Sequence, residues 1–212
     1  MQPYADRREA GRHLAQALVD YRGIRDGLVL GLPRGGVVLA EQVAQVLQLP
    51  LDVILLRKLP YPDNPELAVG AIAEDGSLFL NPEYRSTSGQ HPEWLQPVLR
   101  EQMAVMQQRA KMYRSHRRPH PIRGKTVILV DDGIATGATM RVAIHAVQAA
   151  SASQTVVAVP IASPSTVREL QSEADAVVVL EAPLEFHAVG QVYESFVQVS
   201  DEEVCEILDR NE

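Results

Sequence analysis

Cysteine is almost absent from this sequence of 212 residues. The single cysteine, Cys205, cannot form a disulfide bond within the chain, and no spacing of cysteine and histidine resembles a zinc site. Disulfide bonds persist mainly in oxidising compartments, so this scarcity favours a reducing environment. We therefore expect a cytoplasmic protein.

Long hydrophobic runs are also missing. No apolar stretch approaches the roughly 20 residues that a membrane helix needs, and the first twenty residues mix charged and small apolar side chains, unlike a secretory signal. Positive charge is in the minority, because 20 lysines and arginines face 27 aspartates and glutamates, for a net charge of −7. These features disfavour a membrane protein, an exported protein and broad nucleic-acid binding.

The sequence does have the length and composition of one α/β domain with a small insertion. Apolar residues make up 46% of the chain and charged residues 22%, which is ordinary for a globular protein. Short apolar runs alternate with amphipathic stretches, and this alternation predicts a doubly wound, mostly parallel central sheet with helices on both faces. The predicted strands cover residues 28–32, 52–56, 67–73, 77–80, 126–130, 155–161 and 176–180. The predicted helices cover residues 6–21, 92–116 and 138–150, with others ending near residue 47 and beginning near residues 163 and 200.

Two acidic residues follow the most apolar of the predicted strands. The segment 127–139 reads VILVDDGIATGAT, so Asp131 and Asp132 come directly after a strand suited to burial on both faces. Ligands of such sheets bind beyond the carboxyl ends of strands, so the strand delivers both carboxylates to a site. Adjacent carboxylates can accept hydrogen bonds from vicinal ribose hydroxyls and can favour a divalent cation, directly or through water.

The residues after the acid pair form a loop that suits a phosphate group. They are small or carry hydroxyls, and they lead into a predicted helix whose N-terminus favours an anion. A glycine within the loop lets a ligand approach the backbone closely. This candidate phosphate loop consists of Ala135, Thr136, Gly137, Ala138 and Thr139.

A second glycine-containing turn follows the first predicted strand. Within it, Gly35 and Gly36 allow backbone N–H groups to turn inward, and Arg34 adds a planar charged donor. These groups suit a diphosphate.

A basic pair follows the second predicted strand. Arg57 and Lys58 lead into residues 59–66, which include three prolines. Since proline disrupts regular structure, this segment is predicted to be a long loop.

The segment 127–139 resembles the signature of type I phosphoribosyltransferases that binds 5-phosphoribosyl diphosphate (PRPP). Gly133 departs from that signature, which more often has a branched or small apolar residue there, and we expect it to add flexibility. The motifs LPRGG, RKL with NPELAVGA and FHAVGQVYESFVQVSDEEV, together with Asp6-Arg7 and Ala10-Gly11, are similar to one group of predicted phosphoribosyltransferases. That similarity extends over nearly the whole chain.

The resemblance implies the type I phosphoribosyltransferase fold in a single domain spanning residues 1–212. A helical insertion over residues 81–120 and a tail over residues 181–212 would contribute to a hood. The implied reaction moves the 5-phosphoribosyl group from PRPP, with Mg²⁺, to a nitrogen nucleophile such as a nucleobase, and it releases diphosphate. A homodimer is expected on the resemblance alone.

The resemblance also implies roles for the candidate residues. Asp131 and Asp132 would bind the ribose and Mg²⁺, and Ala135 to Thr139 would bind the 5-phosphate. Arg34, Gly35 and Gly36 would bind the diphosphate. Arg57 and Lys58, on a mobile loop, would act in catalysis together with the acid pair. Phe186 follows the last strand, where family members place residues that stack on the acceptor base, and core packing is an equal alternative. Tyr193 and Phe196 are predicted to belong to the core. No general acid or base stands out.

Two other functions are compatible with parts of the sequence. A regulatory protein on the same fold could sense PRPP or a nucleotide without catalysis, because fold alone does not decide function. The basic pair and the complete glycine turn favour an enzyme, since a sensor needs no leaving-group stabilisation. A dinucleotide-binding protein is disfavoured, because no G-x-G-x-x-G follows the first strand.

Overall fold

The computed structural model describes residues 3–61, 64–74, 76, 78–80, 84, 93–114, 117–186 and 188–211, with only the backbone at residues 64–68 and 79. The strands are β1 (Gly27–Gly31), β2 (Leu51–Val53), β3 (Leu56–Tyr61), β4 (Asn64–Ala73), β5 (Leu78–Leu80), β6 (Thr126–Val130), β7 (Gln154–Ile161) and β8 (Ala176–Glu181). The helices are α1 (Arg7–Ala17), α2 (Gly35–Leu47), α3 (Leu95–Tyr113), α4 (Ala138–Ala149), α5 (Pro164–Gln171) and α6 (Asp201–Arg210).

A five-stranded parallel sheet forms the centre of the molecule, in the order β2-β1-β6-β7-β8. Helices α1 and α2 pack on one face of the sheet and α4 and α5 on the other. Side chains alternate between the faces, so that Ile128 and Val130 join one buried cluster while Val127 and Leu129 join the other. The predicted doubly wound α/β fold is confirmed.

Several helix starts follow from local capping chemistry that the sequence displays. The side chain of Ser163 accepts a hydrogen bond from the backbone N–H of Thr166, and Pro164 occupies the first turn of α5. Ser200 caps α6 in the same way through the N–H of Glu203. Both predicted starts are confirmed. In the part of the chain that is described, no helix has both the length and the apolar character that a membrane crossing requires.

The predicted proline-rich loop is wrong, because most of it forms an antiparallel hairpin. Strands β3 and β4 pair with each other, and β5 adds a third strand to this smaller sheet. Pro60 is tolerated because β3 is an edge strand and the register shifts on both sides of this residue. Pro65 lies between Asn64 and Ala68, where the β3–β4 register is irregular. Pro62 lies outside the described residues.

Helix α3 is partly buried against the rest of the molecule. It packs against β3 and α6, and Leu95, Met106 and Tyr113 on one of its faces are buried. The hydroxyl of Tyr113 donates a hydrogen bond to Asp201 at the start of α6. The segment 81–120 therefore contains a helix that joins the main buried cluster, and the boundary of a hood subdomain stays a prediction.

Candidate active site

The acid pair lies at the carboxyl end of β6, in the middle of the parallel sheet. The loop that follows is anchored to neighbouring elements, since the N–H of Ile134 donates to the carbonyl of Ile161 at 2.9 Å. The hydroxyl of Thr166 donates to the carbonyl of Ala135 at 3.0 Å. These bonds fix the loop beside the acids before any ligand is present.

The predicted phosphate loop surrounds a pocket of about 180 Å³. Gly137 has a positive φ of 74° at the N-cap of α4, and a Cβ atom there would lie 2.9 Å from Cγ2 of Thr166. Glycine is therefore required both by the backbone conformation and by the space. The pocket is lined by Lys58, Asp131, Gly133, Ile134, Ala135, Thr136, Gly137, Ala138, Thr139, Met140 and Val189. A helix N-terminus, two hydroxyls and one lysine in this lining suit a phosphate.

The glycine turn after β1 packs directly against the acid pair. A Cβ atom at Gly36 would lie 2.6 Å from the carbonyl oxygen of Val130 and 2.8 Å from Cα of Asp131. A Cβ atom at Gly35 would overlap the carboxylate of Asp132. The peptide bond between Pro33 and Arg34 is cis. Sequence reasoning gave these glycines a ligand-binding role, and the structure adds that they leave room for the acids.

Arg34 is half-buried and lies outside the lining of the phosphate pocket. Burial and the hydrogen bond to Asp201 raise the pKa of Tyr113, and the positive charge of Arg34 opposes that rise. The guanidinium therefore lies within electrostatic range of Tyr113 in α3.

The two residues of the predicted basic pair, Arg57 and Lys58, lie on β3 and point in different directions. Successive side chains of a strand point to opposite faces, and only Lys58 lines the phosphate pocket. Arg57 donates from Nε to Oε1 of Gln102 in α3 at 3.0 Å. Burial and the neighbouring charge of Arg109 lower the pKa of Arg57. The structure thus brings one of the two basic side chains to the candidate site.

The surroundings of Asp131 favour the protonated form of its carboxyl group. Burial raises the pKa of Asp131 well above its ordinary value, and the charge of Asp132 adds to the rise. The backbone N–H of Asp132 donates to Oδ1 of Asp131 at 2.9 Å. This hydrogen bond and the positive charge of Arg7 both lower the pKa of Asp131 and so oppose the rise. A cation or a set of hydroxyl donors in the pocket would stabilise the ionised form.

Arg7 is a site residue to which sequence reasoning gave no role. Its Nε donates to Oδ2 of Asp132 at 2.8 Å, and its Nη1 donates to the carbonyl of Val197 at 2.7 Å. The hydroxyl of Tyr193 donates to the carbonyl of Asp132 at 2.7 Å. The available signal was the Asp6-Arg7 dipeptide, which belongs to the resemblance but has no chemistry attached to it.

Of the two aromatic residues of the tail that were predicted to lie in the core, only one is buried. Tyr193 is buried as predicted, with 6% of its surface exposed, whereas Phe196 is 40% exposed and is not a core residue. The Phe196 ring stacks on Tyr193 at 5.1 Å between centroids and lies 3.9 Å from Cζ of Arg7. An arginine can hold an exposed ring through a cation–π contact, which explains the position. Phe186 packs half-buried against the main core, and its stacking role stays a prediction.

Comparison with known families decides the class of this site. The family model described as "Phosphoribosyl transferase domain" matches residues 4–195. The chain belongs to this family. The match includes all of the candidate site residues, from Arg7 to Tyr193.

Individual relatives agree with the phosphoribosyl transferase assignment. A Mycobacterium tuberculosis protein that carries the provisional name phosphoribosyl transferase is 45% identical over 210 residues, which are 99% of this chain and 47% of the relative. The chain thus spans about half the length of the curated relatives that it matches. The crystal structure of TT1426 from Thermus thermophilus is 44% identical, has a TM-score of 0.87, and covers 100% of this chain and 99% of its own. AQ2163 from Aquifex aeolicus is 14% identical with a TM-score of 0.50, covers 82% of this chain and 73% of its own, and shows the fold alone.

Gly133 is explained by close packing within the candidate site. A Cβ atom at this position would lie 2.6 Å from Cγ1 of Val189 and 2.9 Å from Cγ2 of Ile161. Val189 also lines the phosphate pocket, so it fills the space that an apolar side chain at position 133 would take. The expected flexibility is therefore replaced by a steric requirement.

A magnesium ion would depend on the substrate for most of its ligands. Among residues 3–61, 64–74 and the other described segments, no group of three or more His, Cys, Asp or Glu is arranged to hold a metal ion. Mg²⁺ commonly binds one or two carboxylates, substrate phosphates and water. Asp131 and Asp132 match that requirement as a carboxylate pair, so the residues fit an ion that arrives with a diphosphate.

Proposed function

We propose that this protein transfers the 5-phosphoribosyl group of PRPP to a nitrogen nucleophile, such as a nucleobase, and releases diphosphate. One observation carries the proposal: Asp131, the phosphate loop 135–139 and Lys58 share one pocket, against which Gly36 packs. A carboxylate, an anion-binding loop and a cation are the groups that a phosphorylated ribose with a diphosphate leaving group requires.

The proposed pose assigns each of these groups to one part of PRPP. The loop 135–139 would bind the 5-phosphate through backbone N–H groups, two hydroxyls and the N-terminus of α4. Asp131 would bind the ribose hydroxyls, with Asp132 beside it. Lys58 and the glycine turn would bind the diphosphate, with Arg34 approaching from the side of α3. Arg57 is left out of this set because it binds Gln102.

Catalysis in this pose would rest on positioning and on charge. The bond from the anomeric carbon to the diphosphate breaks while positive charge develops on the ribose ring, so the site must stabilise the departing diphosphate. Lys58 supplies a positive charge for that purpose. Mg²⁺, when bound, would neutralise further charge on the diphosphate. The carboxylates hold the ring in place throughout.

Diphosphate release tests the proposal directly. The protein would be incubated with Mg²⁺ and PRPP together with a panel of purines, pyrimidines and other nitrogen heterocycles, and diphosphate would be measured enzymatically. We expect release that depends on one class of acceptor and is lost in Asp131→Asn. PRPP binding without release for any acceptor would instead support a sensor of PRPP or nucleotides.

The proposal includes a cytoplasmic location and a homodimeric assembly. A cytoplasmic location is supported by the single cysteine and by the need for a soluble phosphorylated substrate. A homodimer is supported by the family resemblance alone. Sedimentation velocity at micromolar concentration would measure the assembly, and we expect a species of twice the chain mass.

A further inference from the structure

Two segments that have no role in the proposed transfer meet at Asp132. One is the start of α1, where the Arg7 guanidinium binds the Asp132 carboxylate, and the other is the stretch 193–199 between β8 and α6. That stretch supplies the Tyr193 hydroxyl to the carbonyl of Asp132 and the carbonyl of Val197 to Arg7. Asp132 is thus held from two distant parts of the chain.

The backbone keeps these two segments in register with each other. The N–H of Glu194 donates to the carbonyl of Tyr4 at 2.8 Å, and the N–H of Ser195 donates to the carbonyl of Ala5 at 3.0 Å. Asp6 caps α1 by accepting a hydrogen bond from the N–H of the third helical residue at 2.8 Å. The backbone next to Arg7 is therefore fixed by hydrogen bonds at residues 4 and 5 and by the cap of α1 at Asp6.

The ion pair itself is shielded from water. The side chain of Arg7 is 11% exposed and that of Asp132 is 16% exposed. The Phe196 ring covers the guanidinium, with its centroid 3.9 Å from Cζ. Exposed ion pairs contribute little because water and salt screen them, whereas this pair is enclosed and has additional hydrogen bonds.

Pairing with Arg7 separates the two carboxylates in function. Asp131 lines the phosphate pocket, whereas an oxygen of Asp132 is bound by Arg7. Asp132 nevertheless contacts Asp131 through the hydrogen bond from its backbone N–H to Oδ1. The order of contacts runs from Arg7 to Asp132 and from Asp132 to the acid that faces the ligand.

We propose that Arg7 is a positioning residue of the phosphoribosyl site, which holds Asp132 so that Asp131 meets the ribose. This inference rests on the proposed function. In this proposal Arg7 acts through Asp132. Its effect is therefore confined to the part of the affinity that depends on the ribose, and the phosphate loop 135–139 acts independently of it.

The test compares two ligands on matched variants by isothermal titration calorimetry. In Arg7→Met we expect the Kd for PRPP with Mg²⁺ to rise about 10- to 100-fold, the usual effect of losing a group that orients a ligating carboxylate. Inorganic phosphate, which needs only the loop, should bind with an unchanged Kd. Arg7→Lys should fall between wild type and Arg7→Met, because lysine restores the charge without bridging to Val197.

Arg8→Met is the matched control. Arg8 lies in the same helical turn and also pairs with a buried carboxylate, that of Glu41, which Arg210 binds as well. Because Glu41 keeps a partner and lies away from the acid pair, the Kd for PRPP should stay within about twofold of wild type. A loss in Arg8→Met as large as that in Arg7→Met would overturn the inference.

A double variant shows whether Arg7 acts through Asp132. We expect Arg7→Met to cause no further loss of PRPP affinity when Asp132→Asn is already present. Fully additive losses, or wild-type PRPP affinity in Arg7→Met, would contradict the inference while leaving the proposed function intact. If Arg7→Met does not fold, Arg7→Lys decides, since wild-type PRPP affinity in that variant also contradicts it. A wild-type protein that binds no PRPP overturns the proposed function and this inference with it.

Discussion

Asp131 is the residue at which stability and binding conflict most directly. Burial and the neighbouring Asp132 raise the pKa of its carboxyl group. A carboxyl group whose pKa is higher in the folded chain binds its proton more tightly there. It therefore contributes stability below its unfolded pKa, and this contribution is lost as the pH rises toward the folded pKa. Above the unfolded pKa this group makes the fold less stable than it is at acid pH, whereas the affinity of the site for a cation or for hydroxyl donors depends on the ionised form.

Asp131→Asn is expected to stabilise the protein and to abolish PRPP binding. Asparagine can still accept the hydrogen bond from the N–H of Asp132 but cannot ionise. Near pH 7.5 we expect the Tm to rise by at least about 2 °C, which corresponds to roughly 1 kcal/mol in a domain of this size. Scanning calorimetry should show the difference shrinking as the pH falls toward 3.8, the ordinary pKa of the group.

Asp132→Asn serves as the control for this prediction. It removes the ion pair with Arg7, so its Tm should fall below that of wild type at neutral pH. If Asp131→Asn were instead less stable than wild type at every pH, the raised pKa would not describe this site.

At the scale of elements, strand β3 of the β3–β4 hairpin directs two adjacent basic side chains to opposite sides. Lys58 faces the phosphate pocket, and Arg57 faces Gln102 on α3. A loop would have left both side chains free to approach a ligand, whereas the alternation of a strand gives each a separate environment.

Lys58→Ala and Arg57→Ala should therefore have opposite consequences. We expect Lys58→Ala to weaken binding of diphosphate with Mg²⁺ by about 10- to 100-fold, the loss associated with a hydrogen bond to a charged group, and to leave the Tm unchanged. Arg57→Ala should lower the Tm and leave diphosphate affinity close to wild type. Calorimetric titration and thermal unfolding of both variants measure the two effects, and equal losses of affinity would contradict the assignment.

The elements that sequence reasoning predicts well are those with one dominant physical signal. The run from Thr126 to Val130 is apolar and mostly β-branched or leucine, and β6 has those same bounds. Ser163 followed by Pro164 predicts the start of α5, because helix capping depends only on residues that are close in sequence. The hairpin at Leu56–Ala73 was missed because edge pairing and register shifts, which make proline acceptable, depend on the partner strand and leave no local trace.

In the candidate site, too, the local features could be predicted from the sequence and the long-range contacts could not. The acid pair and the phosphate loop are contiguous in sequence, so their proximity could be predicted. Arg7 reaches Asp132 across 125 positions of the chain, and the turn that carries Gly36 packs on Asp131 from a different strand. Contacts of this kind depend on how the elements assemble, and only motif resemblance pointed toward Arg7.

At the scale of the whole molecule, one buried cluster connects parts that the sequence suggested as separate. Leu95, Met106 and Tyr113 of α3 lie in the same cluster as Val29 of β1 and Ile207 of α6. The only tryptophan, Trp94, adjoins α3 and meets Tyr61 of β3 edge to face at 5.4 Å. The helical insertion and the central sheet therefore share their hydrophobic stabilisation.

Thermal unfolding should accordingly be a single transition. Trp94 fluorescence reports on α3 and the hairpin, and far-ultraviolet circular dichroism reports on all of the helices and strands. We expect the two signals to give the same Tm within about 1 °C, as a cooperative two-state unit does. A fluorescence transition that clearly precedes the loss of circular dichroism would show that the 81–120 region unfolds as an independent subdomain.

The packing of Gly36 against Val130 and Asp131 has a consequence for divergence within the family. Backbone fills the space on that side of the acid pair, so no substitution can introduce a new functional group there without displacing the strand end. Variation is left to side chains that are partly exposed, such as those of Phe186 and Phe196. Exchanges at such positions should leave the packing around the acid pair unchanged.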